Sequence, residues 1–421
     1  MTTWAAPTAQ APVDATVSVP ASKSLMARAL VLASLADEAT TVHNPLLARD
    51  SWLMADAVRA LGSSVTTPRD GPWLVEPGRG AARGAVDCGL SGTVMRFVPP
   101  VAALVRGRVR FDGDPRARER PMAGLLRALA DLGVTVSPDG ASALPFTVHG
   151  TGSVGGGRVD LDARESSQYV SGLLLAGCRY EDGLVVDAVG AVPSAPHIAM
   201  TLASLRARGV DAAQEGPTRW RVAPAVPHGG DVTVEPDLSN AAPFLAAAVI
   251  TGGQVRLTGW PSETAQPATA MLRLLAGFGA TVETGEGTLT VTGPTEPDGL
   301  GSADMSAVGE LVPSIAAVAA LATAPTTITG VAHLRGHETD RLAALERSLR
   351  AMGAQVEQTD DGLHITPRPL HAATVSSEGD HRMATFAAII GLRVPGVVVD
   401  DISVTAKTMP GFPALWKDML T

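Results

Sequence analysis

Five glycines at nearly even spacing constrain the fold of this 421-residue chain more than any other feature. They are Gly62, Gly133, Gly209, Gly279 and Gly353, with spacings of 71, 76, 70 and 74 residues. Each follows a helical pattern and precedes an alternating strand, a polar turn and a second strand. Glycine fits the left-handed position just past a helix, and alternation is typical of a half-buried strand with a hairpin behind it. The chain is therefore predicted to repeat one α+β module.

The repeats fall into two groups, three in the first part of the chain and two in the second. A sixth helical stretch, Arg382–Leu392, precedes a strand-like segment without a trailing hairpin. We expect the N-terminal strand Asp14–Pro20 to complete that last unit. The prediction is an α/β fold of two three-repeat domains, residues 23–232 and residues 1–22 plus 233–421. The chain would then cross between the two domains twice. Two domains joined in this way can move about a hinge, and the cleft at a hinge is a favoured ligand site.

Composition excludes several protein classes. Hydrophobic residues make up 45% of the chain and charged residues 18%, which is unlike a disordered protein. The longest apolar runs, such as Leu311–Ala322, are shorter than the roughly 20 residues of a membrane span, and Met1–Asp14 lacks the pattern of a secretory signal. The net charge of −9 argues against nucleic acid as a partner. Cys88 and Cys178 form neither a disulfide framework nor a metal cluster. We expect a reduced, cytoplasmic protein that binds neither membrane nor nucleic acid.

The chain contains only three lysines, Lys23, Lys407 and Lys417, and all its other strong cations are arginines. A compositional bias toward arginine explains this most simply. Lysines that persist despite the bias are expected where a compact ammonium that can lose its proton is needed. Lys417 is expected at the surface, whereas Lys23 and Lys407 lie in motifs.

Several turns in the first half have the residues of an anion site. Ser22 or Ser24 is expected to cap a helix through Ala27–Leu35, whose N-terminus would attract an anion beside Lys23 and Arg28. Other small-residue turns and charged loops occupy Asp87–Arg96, Gly113–Pro121, Arg164–Tyr169 and Val192–His197. Ordinary helix caps and a solvated charge run are the competing interpretations.

The second half adds carboxylates and imidazoles. Glu310 precedes an apolar stretch and is either a helix-start charge or a functional carboxylate. His333, His337 and Glu338 lack the H-E-x-x-H spacing and have no cysteine nearby, so no metal is predicted. Asp380 lies close to an arginine, as a structural ion pair would. Together the motifs place cations and neutral donors at turns in both halves of an acidic protein, as a small, highly anionic ligand requires.

An ordered set of motifs resembles the 5-enolpyruvylshikimate-3-phosphate synthase (3-phosphoshikimate 1-carboxyvinyltransferase) family over nearly the whole chain. The motifs are Lys23-Ser24-x-x-x-Arg28, Ser91-Gly92-Thr93-x-Met95-Arg96, Glu119-Arg120-Pro121, Glu165-Ser-Ser-Gln168, Glu338-Thr-Asp-Arg341, Asp380-His-Arg-Met-Ala384 and Ala406-Lys-Thr-x-Pro410. The resemblance implies a two-domain, inside-out enolpyruvyl transferase-like α/β fold, each domain with three βαβαββ units, closing on its substrates at a hinge.

The same resemblance implies a reaction. The enolpyruvyl group of phosphoenolpyruvate would move to the 5-hydroxyl of 3-phosphoshikimate with release of phosphate, in the shikimate pathway to chorismate and the aromatic amino acids. These two small molecules would be the only partners, no cofactor is implied, and we expect a monomer.

Residue roles follow from the resemblance as well. The residues expected to bind 3-phosphoshikimate are Lys23, Ser24, Arg28, Ser166, Ser167, Gln168, Ser194, Glu310 and His337. Those expected to bind phosphoenolpyruvate are Lys23, Gly92, Arg120, Gln168, Arg341, Arg382 and Lys407. Glu310 would take the hydroxyl proton, and Lys23 and Glu338 are the candidates for the acid and for later proton transfer.

The chain departs from the family pattern at four positions. Leu90 and His333 stand where many relatives have Asn, and His337 where many have Lys. Glu310 replaces the usual Asp and lengthens the arm by one methylene. A protonated His337 would restore the positive field that a neutral one weakens, so we predict that activity depends on a group titrating at about pH 6–7.

Two alternatives remain open. The UDP-N-acetylglucosamine 1-carboxyvinyltransferase family resembles this one in fold and donor, but it usually has a reactive cysteine in the loop before Arg120, and Pro115–Glu119 contains none. A non-catalytic anion-binding protein on the same scaffold would be favoured if Lys23 or Glu310 were missing, and both are present.

Overall fold

The computed structural model describes residues 2–78, 84–138 and 143–421, and the chain forms two compact units. The first unit is Ala21–Glu235, and the second combines Met1–Pro20 with Pro236–Thr421. The chain therefore changes unit after Pro20 and after Glu235, where the sequence suggested residues 22 and 232. Within the described part of the chain, no helix has both the length and the apolar character needed to cross a membrane.

The elements alternate between short strands and helices along the whole chain. The strands are β1 (Trp4–Ala5), β2 (Asp14–Val17), β3 (Thr40–His43), β4 (Ser64–Thr66), β5 (Trp73–Glu76), β6 (Ala85–Asp87), β7 (Gly107–Asp112), β8 (Thr135–Pro138), β9 (Phe146–Gly150), β10 (Gly157–Asp162), β11 (Leu184–Val189), β12 (Ala212–Gly216), β13 (Arg219–Val222), β14 (Gly230–Thr233), β15 (Gln254–Thr258), β16 (Thr281–Gly285), β17 (Thr288–Thr292), β18 (Gly301–Asp304), β19 (Thr326–Thr329), β20 (Gln355–Gln358), β21 (Leu363–Thr366), β22 (Thr374–Val375) and β23 (Val398–Val399).

The helices are α1 (Lys23–Leu35), α2 (Arg49–Ala60), α3 (Gly92–Ala102), α4 (Pro115–Arg118), α5 (Ala123–Asp131), α6 (Ser167–Gly177), α7 (Pro196–Arg206), α8 (Leu238–Thr251), α9 (Ala268–Gly277), α10 (Val312–Ala320), α11 (Arg341–Ala351), α12 (His381–Gly391) and α13 (Phe412–Asp418). Three short 3₁₀ helices occupy Gly309–Leu311, Ala332–Gly336 and Ile402–Lys407.

Three four-stranded sheets of the first unit share one plan. Their strand orders are β14-β3-β5-β4, β6-β7-β9-β8 and β10-β11-β13-β12. In each, the first pair is parallel and the next two pairs are antiparallel. Parallel neighbours need a crossover such as a helix, whereas antiparallel neighbours need only a hairpin. The predicted α/β module is confirmed.

The second unit repeats the plan in the sheets β16-β17-β15-β2 and β18-β19-β21-β20, and ends with a three-stranded sheet, β1-β23-β22. The expectation that Asp14–Pro20 completes the last repeat is wrong. Asp14–Val17 pairs in parallel with Gln254–Thr258, and Trp4–Ala5 is the strand beside Val398–Val399. The reason is that the module with α8 begins directly after the chain re-enters this unit, so its parallel edge strand has to come from the N-terminus.

The five repeat glycines all adopt the left-handed conformation that a helix end requires. Their φ angles are 104° at Gly62, 82° at Gly133, 76° at Gly209, 93° at Gly279 and 95° at Gly353. A side chain at such a position would be strained, so this part of the sequence pattern follows from backbone geometry.

One helix of each module is almost entirely buried and forms the core of its unit. These helices are α1, α3 and α6 in the first unit and α8, α10 and α12 in the second. Ser22, not Ser24, caps α1, and Ser22 Oγ accepts a hydrogen bond from the Leu25 amide. Cys88 and Cys178 are buried free thiols of the first unit, and burial raises the pKa of Cys178 to about 12. The starts of these helices hold most of the predicted site residues.

Candidate active site

Lys23 is the first residue of α1 and lies beside a buried carboxylate. Its Nζ is 3.4 Å from Oδ2 of Asp50, which belongs to the first turn of α2. Asp50 is buried, whereas the Lys23 side chain is 22% exposed. The lysine that the sequence singled out is therefore oriented by a carboxylate while part of it stays accessible.

Arg28 is buried one turn further along α1, with 1% of its surface exposed. Its guanidinium donates to Thr201 Oγ1 at 2.9 Å, to the His197 carbonyl at 2.7 Å and to the Ser24 carbonyl at 2.8 Å. It also lies over the Phe97 ring, 5.2 Å from the centroid. Burial lowers the pKa of Arg28 to about 9. Arg28 therefore ties α1 to α7, and its expected contact with 3-phosphoshikimate stays a prediction.

Gly92, the first residue of α3, is surrounded by polar side chains. A Cβ at this position would lie 2.8 Å from Arg120 Nη2 and 3.1 Å from both Arg96 Nη1 and Gln168 Oε1. Arg96 Nη1 donates to Gln168 Oε1 at 2.9 Å, and Arg120 Nη1 donates to the Leu90 carbonyl at 3.1 Å. We call Gly92, Arg96, Arg120 and Gln168 the Gly92 cluster. The missing Cβ allows two guanidinium groups to approach the helix N-terminus closely, which is the chemistry of an anion site.

The two arginines of the Gly92 cluster are held away from water. Arg96 is 3% and Arg120 6% exposed. Burial lowers the pKa of Arg96, an effect that Tyr169 and Glu165 oppose, and the Arg96 guanidinium lies 5.5 Å from the centroid of the Tyr169 ring. Positive charge in a region of low dielectric acts strongly on an approaching anion.

The arginine-rich loop at Gly113–Pro121 contains both surface arginines and an arginine of the candidate site, the two interpretations that the sequence allowed. Arg116 pairs with Glu119, and Arg118 pairs with Asp112 at 2.9 Å; both arginines are exposed at the surface. Arg120 instead turns inward to the Gly92 cluster. Two of the three arginines are therefore a solvated charge run and the third belongs to the site.

The neutral donors are placed at helix starts. Ser166 caps α6 and its Oγ accepts from the Gln168 amide at 3.3 Å, while Ser167 is buried. Ser194 has a left-handed φ of 51° in the turn before α7. Capping accounts for Ser166 in the absence of any ligand, so its expected contact with 3-phosphoshikimate stays a prediction, as do those of Ser167 and Ser194.

A second cluster surrounds Glu338 in the second unit. Its Oε1 accepts from Lys407 Nζ at 2.6 Å, and its Oε2 lies 3.1 Å from His381 Nδ1 and 3.8 Å from Arg341 Nη2. Arg341 also forms a bidentate pair with the buried carboxylate of Asp380, at 2.7 and 3.2 Å. We call these five residues and Arg382 the Glu338 cluster.

The charges of this cluster fix its protonation. Burial raises the pKa of Glu338, but Lys407, His381 and Arg341 outweigh that effect and hold the pKa well below its usual value. Burial lowers the pKa of His381, although Glu338 opposes this. Glu338 is thus a carboxylate, and His381 is neutral with its Nδ1 proton directed at Glu338.

Three donors of the Glu338 cluster lie as close together as metal ligands. Atoms of Glu338, Asp380 and His381 lie within 4.8 Å of one another. Lys407 and Arg341 already compensate the two carboxylates, and a cation placed here would be repelled by both. The donor set is accounted for by ion pairing within the protein.

The charges of Arg341, Arg382 and Glu310 influence one another. Arg382 donates from its backbone to Asp380 Oδ1 and from Nη2 to Ser239 Oγ, each at 2.9 Å. Burial and the charge of Arg341 lower the pKa of Arg382, whereas Glu310 raises it. Burial also lowers the pKa of Arg341, but the surrounding carboxylates, Glu310 among them, give a net increase. The charge of Glu310 thus favours the protonated form of two of the arginines expected to bind phosphoenolpyruvate.

His337 contacts Arg341. Its Nδ1 lies 3.1 Å from Arg341 Nη1. A guanidinium can only donate, so Nδ1 accepts and the imidazole carries its proton on Nε2. A protonated His337 would have to break this hydrogen bond, and its predicted role in the pH dependence stays a prediction.

Sequence reasoning did not assign several of these residues to the site. They are Arg96 and His381, which belong to the two clusters, and Asp50 and Ser239, which contact Lys23 and Arg382. Asp380 was interpreted as a possible structural ion pair, and it forms one with Arg341. Arg96 follows Gly92 by four residues, one helical turn, so spacing could have found it. His381 is next to Arg382 and Asp380 precedes it, but Asp50 and Ser239 carry no local signal.

Comparisons with known proteins agree with the predicted fold and family. A family model described as EPSP synthase (3-phosphoshikimate 1-carboxyvinyltransferase) matches residues 7–416. A protein of Kocuria rhizophila named 3-phosphoshikimate 1-carboxyvinyltransferase is 53% identical, over 99% of this chain and 96% of that protein.

Solved structures give the same result. The EPSP synthase of Acinetobacter baumannii matches with a TM-score of 0.81 at 26% identity, over 99% of this chain and 97% of that one. The enolpyruvyl transferase NikO of Streptomyces tendae matches with a TM-score of 0.78 at 18% identity, over 98% and 96%, and shows a shared fold.

The repeated modules, together with the family model that matches residues 7–416 and the EPSP synthase structure, define this chain as an enolpyruvyl transferase by class. The extent of the family match and the identity to the Kocuria protein narrow this further. The chain belongs to the EPSP synthase family and is a transferase. The predicted family and α/β fold are confirmed.

Proposed function

We propose that this chain moves the enolpyruvyl group of phosphoenolpyruvate to the 5-hydroxyl of 3-phosphoshikimate and releases phosphate. The reaction is a step of the shikimate pathway to chorismate and the aromatic amino acids. The structural observation that carries the proposal is the Gly92 cluster, where two buried guanidinium groups and a helix N-terminus meet at a position without a side chain. A small anion with several charged oxygens fits that chemistry.

Phosphoenolpyruvate is assigned in this proposal to cationic side chains and neutral donors. The residues are Lys23, the Gly92 backbone, Arg120, Gln168, Arg341, Arg382 and Lys407. Gln168 already accepts from Arg96, which fixes its side-chain amide in one orientation. Lys407 and Arg341 are held by Glu338 and Asp380, so their donors are positioned before a substrate arrives.

3-Phosphoshikimate is assigned to a set of hydroxyl, amide, imidazole and charged side chains. The residues are Lys23, Ser24, Arg28, Ser166, Ser167, Gln168, Ser194, Glu310 and His337. Support for His337 comes from its tautomer, because an imidazole that accepts from Arg341 through Nδ1 presents Nε2–H as a donor.

The proton steps follow from the balance of the reaction. The acceptor hydroxyl adds to C2 of phosphoenolpyruvate and loses a proton, while the C3 methylene gains one. A proton then leaves the resulting methyl group as phosphate departs, which restores the double bond. We assign the hydroxyl proton to Glu310. Glu338 is held ionised, chiefly by Lys407, so it is in the form that can accept the methyl proton, and Lys23 is the remaining donor for C3.

Two further features are part of the proposal. The protein is a monomer, and it acts in the cytoplasm. Light scattering of the purified chain gives its molar mass in solution. The mass of a dimer would contradict the proposed monomeric state.

The decisive experiment measures phosphate release from phosphoenolpyruvate with two acceptors in parallel, 3-phosphoshikimate and UDP-N-acetylglucosamine. We expect turnover with 3-phosphoshikimate alone. Turnover with only the nucleotide sugar would assign the chain to the alternative reaction. Binding of both anions without turnover would favour a non-catalytic binding protein.

A further inference from the structure

The residue before Glu310 lies against an imidazole ring. A Cβ built on Gly309 would be 2.6 Å from Nε2 and 3.1 Å from Cε1 of His333, and 3.2 Å from Cδ2 of Leu334. Gly309 is buried and its φ lies outside the left-handed region. A side chain at position 309 would therefore press on the His333 ring and on Leu334, whereas the backbone conformation there does not itself require glycine.

Both partners of this contact lie in short 3₁₀ helices. Gly309–Leu311 carries Glu310 and leads directly into α10, and Ala332–Gly336 carries His333 after β19. A single 3₁₀ turn has few backbone hydrogen bonds of its own. Side-chain packing between the two turns therefore has a large share in deciding where Glu310 lies.

The His333 ring is itself held in place. Its centroid is 5.7 Å from that of His337, at an interplanar angle of 60°. His337 in turn accepts from Arg341 at 3.1 Å, and Arg341 is paired with Asp380. A continuous row of contacts thus runs from Gly309 to the buried ion pair of the Glu338 cluster.

We propose that His333 is a positioning residue for Glu310. Its ring edge occupies the place of a side chain at Gly309 and fixes the turn from which the Glu310 carboxylate projects. This inference rests on the proposed function, in which Glu310 takes the hydroxyl proton. A glutamate has several rotatable bonds and loses their freedom when it is ordered, so a fixed starting point for its side chain matters. A misplacement of about 1 Å can cost about a hundredfold in rate.

A double-mutant cycle tests the contact. His333→Ala removes the ring, and Gly309→Ala inserts a methyl group where the ring lies. We expect each single variant to lower kcat about tenfold and to leave KM for both substrates within about threefold. In the double variant the methyl group no longer meets a ring. The kcat of the double variant should therefore be no lower than that of the single variant with the lower kcat. A double loss equal to the product of the single losses would overturn the proposal.

Gly336→Ala is the matched control. Gly336 is in the same 3₁₀ helix as His333, and a Cβ there meets nothing within 4 Å. We expect its kcat within about twofold of the wild type, with thermal unfolding of all variants measured alongside. If Gly309→Ala does not fold, the comparison of His333→Ala with Gly336→Ala decides, and equal kcat values would overturn the proposal.

Glu310→Gln separates this inference from the proposed function. If Glu310→Gln keeps kcat within about twofold, the base role of Glu310 fails and the positioning role fails with it. If Glu310→Gln is severely impaired and His333→Ala is not, only the positioning role is wrong. His333→Ala added to Glu310→Gln should change the residual kcat by less than about twofold. A further tenfold loss would show that His333 acts independently of Glu310 and overturn the proposal.

Discussion

The Gly92 cluster and the Glu338 cluster hold their cations in different ways. In the first, Arg96 donates to the side-chain oxygen of Gln168 and Arg120 to the Leu90 carbonyl, both of which are neutral. In the second, Arg341 and Lys407 donate to carboxylates that are themselves buried. Both clusters are rich in cations, but only in the second do these hydrogen bonds also neutralise the charge.

This difference suggests that the two clusters have different roles. A hydrogen bond to a neutral group does not compensate the charge of a buried cation, so that bond leaves the field of the cation available to an anionic ligand. A cation paired with a carboxylate contributes less field, but it keeps that carboxylate ionised, as the low pKa of Glu338 shows. The Gly92 cluster is therefore suited to anion recognition, and the Glu338 cluster is suited to proton transfer as well.

The largest expected effect is on catalysis by Glu338. Glu338→Gln removes the group that receives a proton in the proposed reaction, and loss of a general base lowers rates by about 10²–10⁴-fold. Steady-state phosphate release gives kcat directly.

Glu346→Gln is the matched control, because Glu346 pairs with Arg350 within α11 and accepts from Gln358, outside both clusters. We expect its kcat within about twofold of the wild type. Equal losses in the two variants would remove the distinction between a proton-transfer carboxylate and a structural ion pair.

The next largest effect is on stability, and it contrasts the two clusters. Asp380→Asn leaves Arg341 buried without its bidentate carboxylate and should lower the free energy of unfolding by about 3–5 kcal/mol. Gln168→Leu removes a neutral acceptor from Arg96 and should cost about 1–3 kcal/mol. Urea denaturation measures both.

Asp56→Asn serves as a surface control for this pair, since Asp56 meets Arg59 on an exposed helix face. Its expected cost is below about 1 kcal/mol. Losses of the same size at Asp380 and Gln168 would show that the two clusters do not differ in the way described.

Gly92→Ala tests the anion-binding half of the comparison. The new methyl group would press on Arg120 Nη2 at 2.8 Å and narrow the opening at the start of α3. We expect KM for phosphoenolpyruvate to rise about tenfold, as loss of a charge-assisted hydrogen bond would cause, with KM for 3-phosphoshikimate little changed. Gly155→Ala, where a Cβ meets nothing within 4 Å, should leave both constants unchanged, and an unchanged KM in Gly92→Ala would refute the assignment.

The smallest effect is a pH dependence of stability from His381. Because burial lowers the pKa of His381 below its usual value of 6.5, the unfolded chain binds this proton first as the pH falls. The free energy of unfolding should therefore decrease from pH 7.5 to pH 5.5, by at most about 1.4 kcal/mol per unit of lowered pKa. Urea denaturation at three pH values, repeated on His381→Gln, tests this. A slope identical in both proteins would contradict it.

The fold was largely predictable because its signals are local. A glycine past a helix and an alternating pair of strands depend on neighbouring residues, and these marked five of the six modules. The pairing of β2 was not predictable, since a four-residue alternating strand fits the edge of any of these sheets. The partner of β2 depends on where the chain enters the second unit.

The candidate site also has parts that the sequence predicts and parts that it does not. Arg120 was found through a motif, but nothing local distinguishes it from Arg116 and Arg118, which lie at the surface. Asp50 contacts Lys23 from another helix, 27 residues along the chain. The sequence names residues with suitable chemistry, whereas the pairing of those residues depends on tertiary packing.

The proposal that Arg120 and Arg382 bind phosphoenolpyruvate is tested most directly by initial-rate kinetics of Arg120→Gln and Arg382→Gln. Each variant removes one guanidinium and keeps a polar side chain. We predict that KM for phosphoenolpyruvate rises by about 10–100-fold in each, corresponding to loss of a hydrogen bond to a charged group, while KM for 3-phosphoshikimate stays within about threefold. A KM for phosphoenolpyruvate that matches the wild type in either variant would contradict the account.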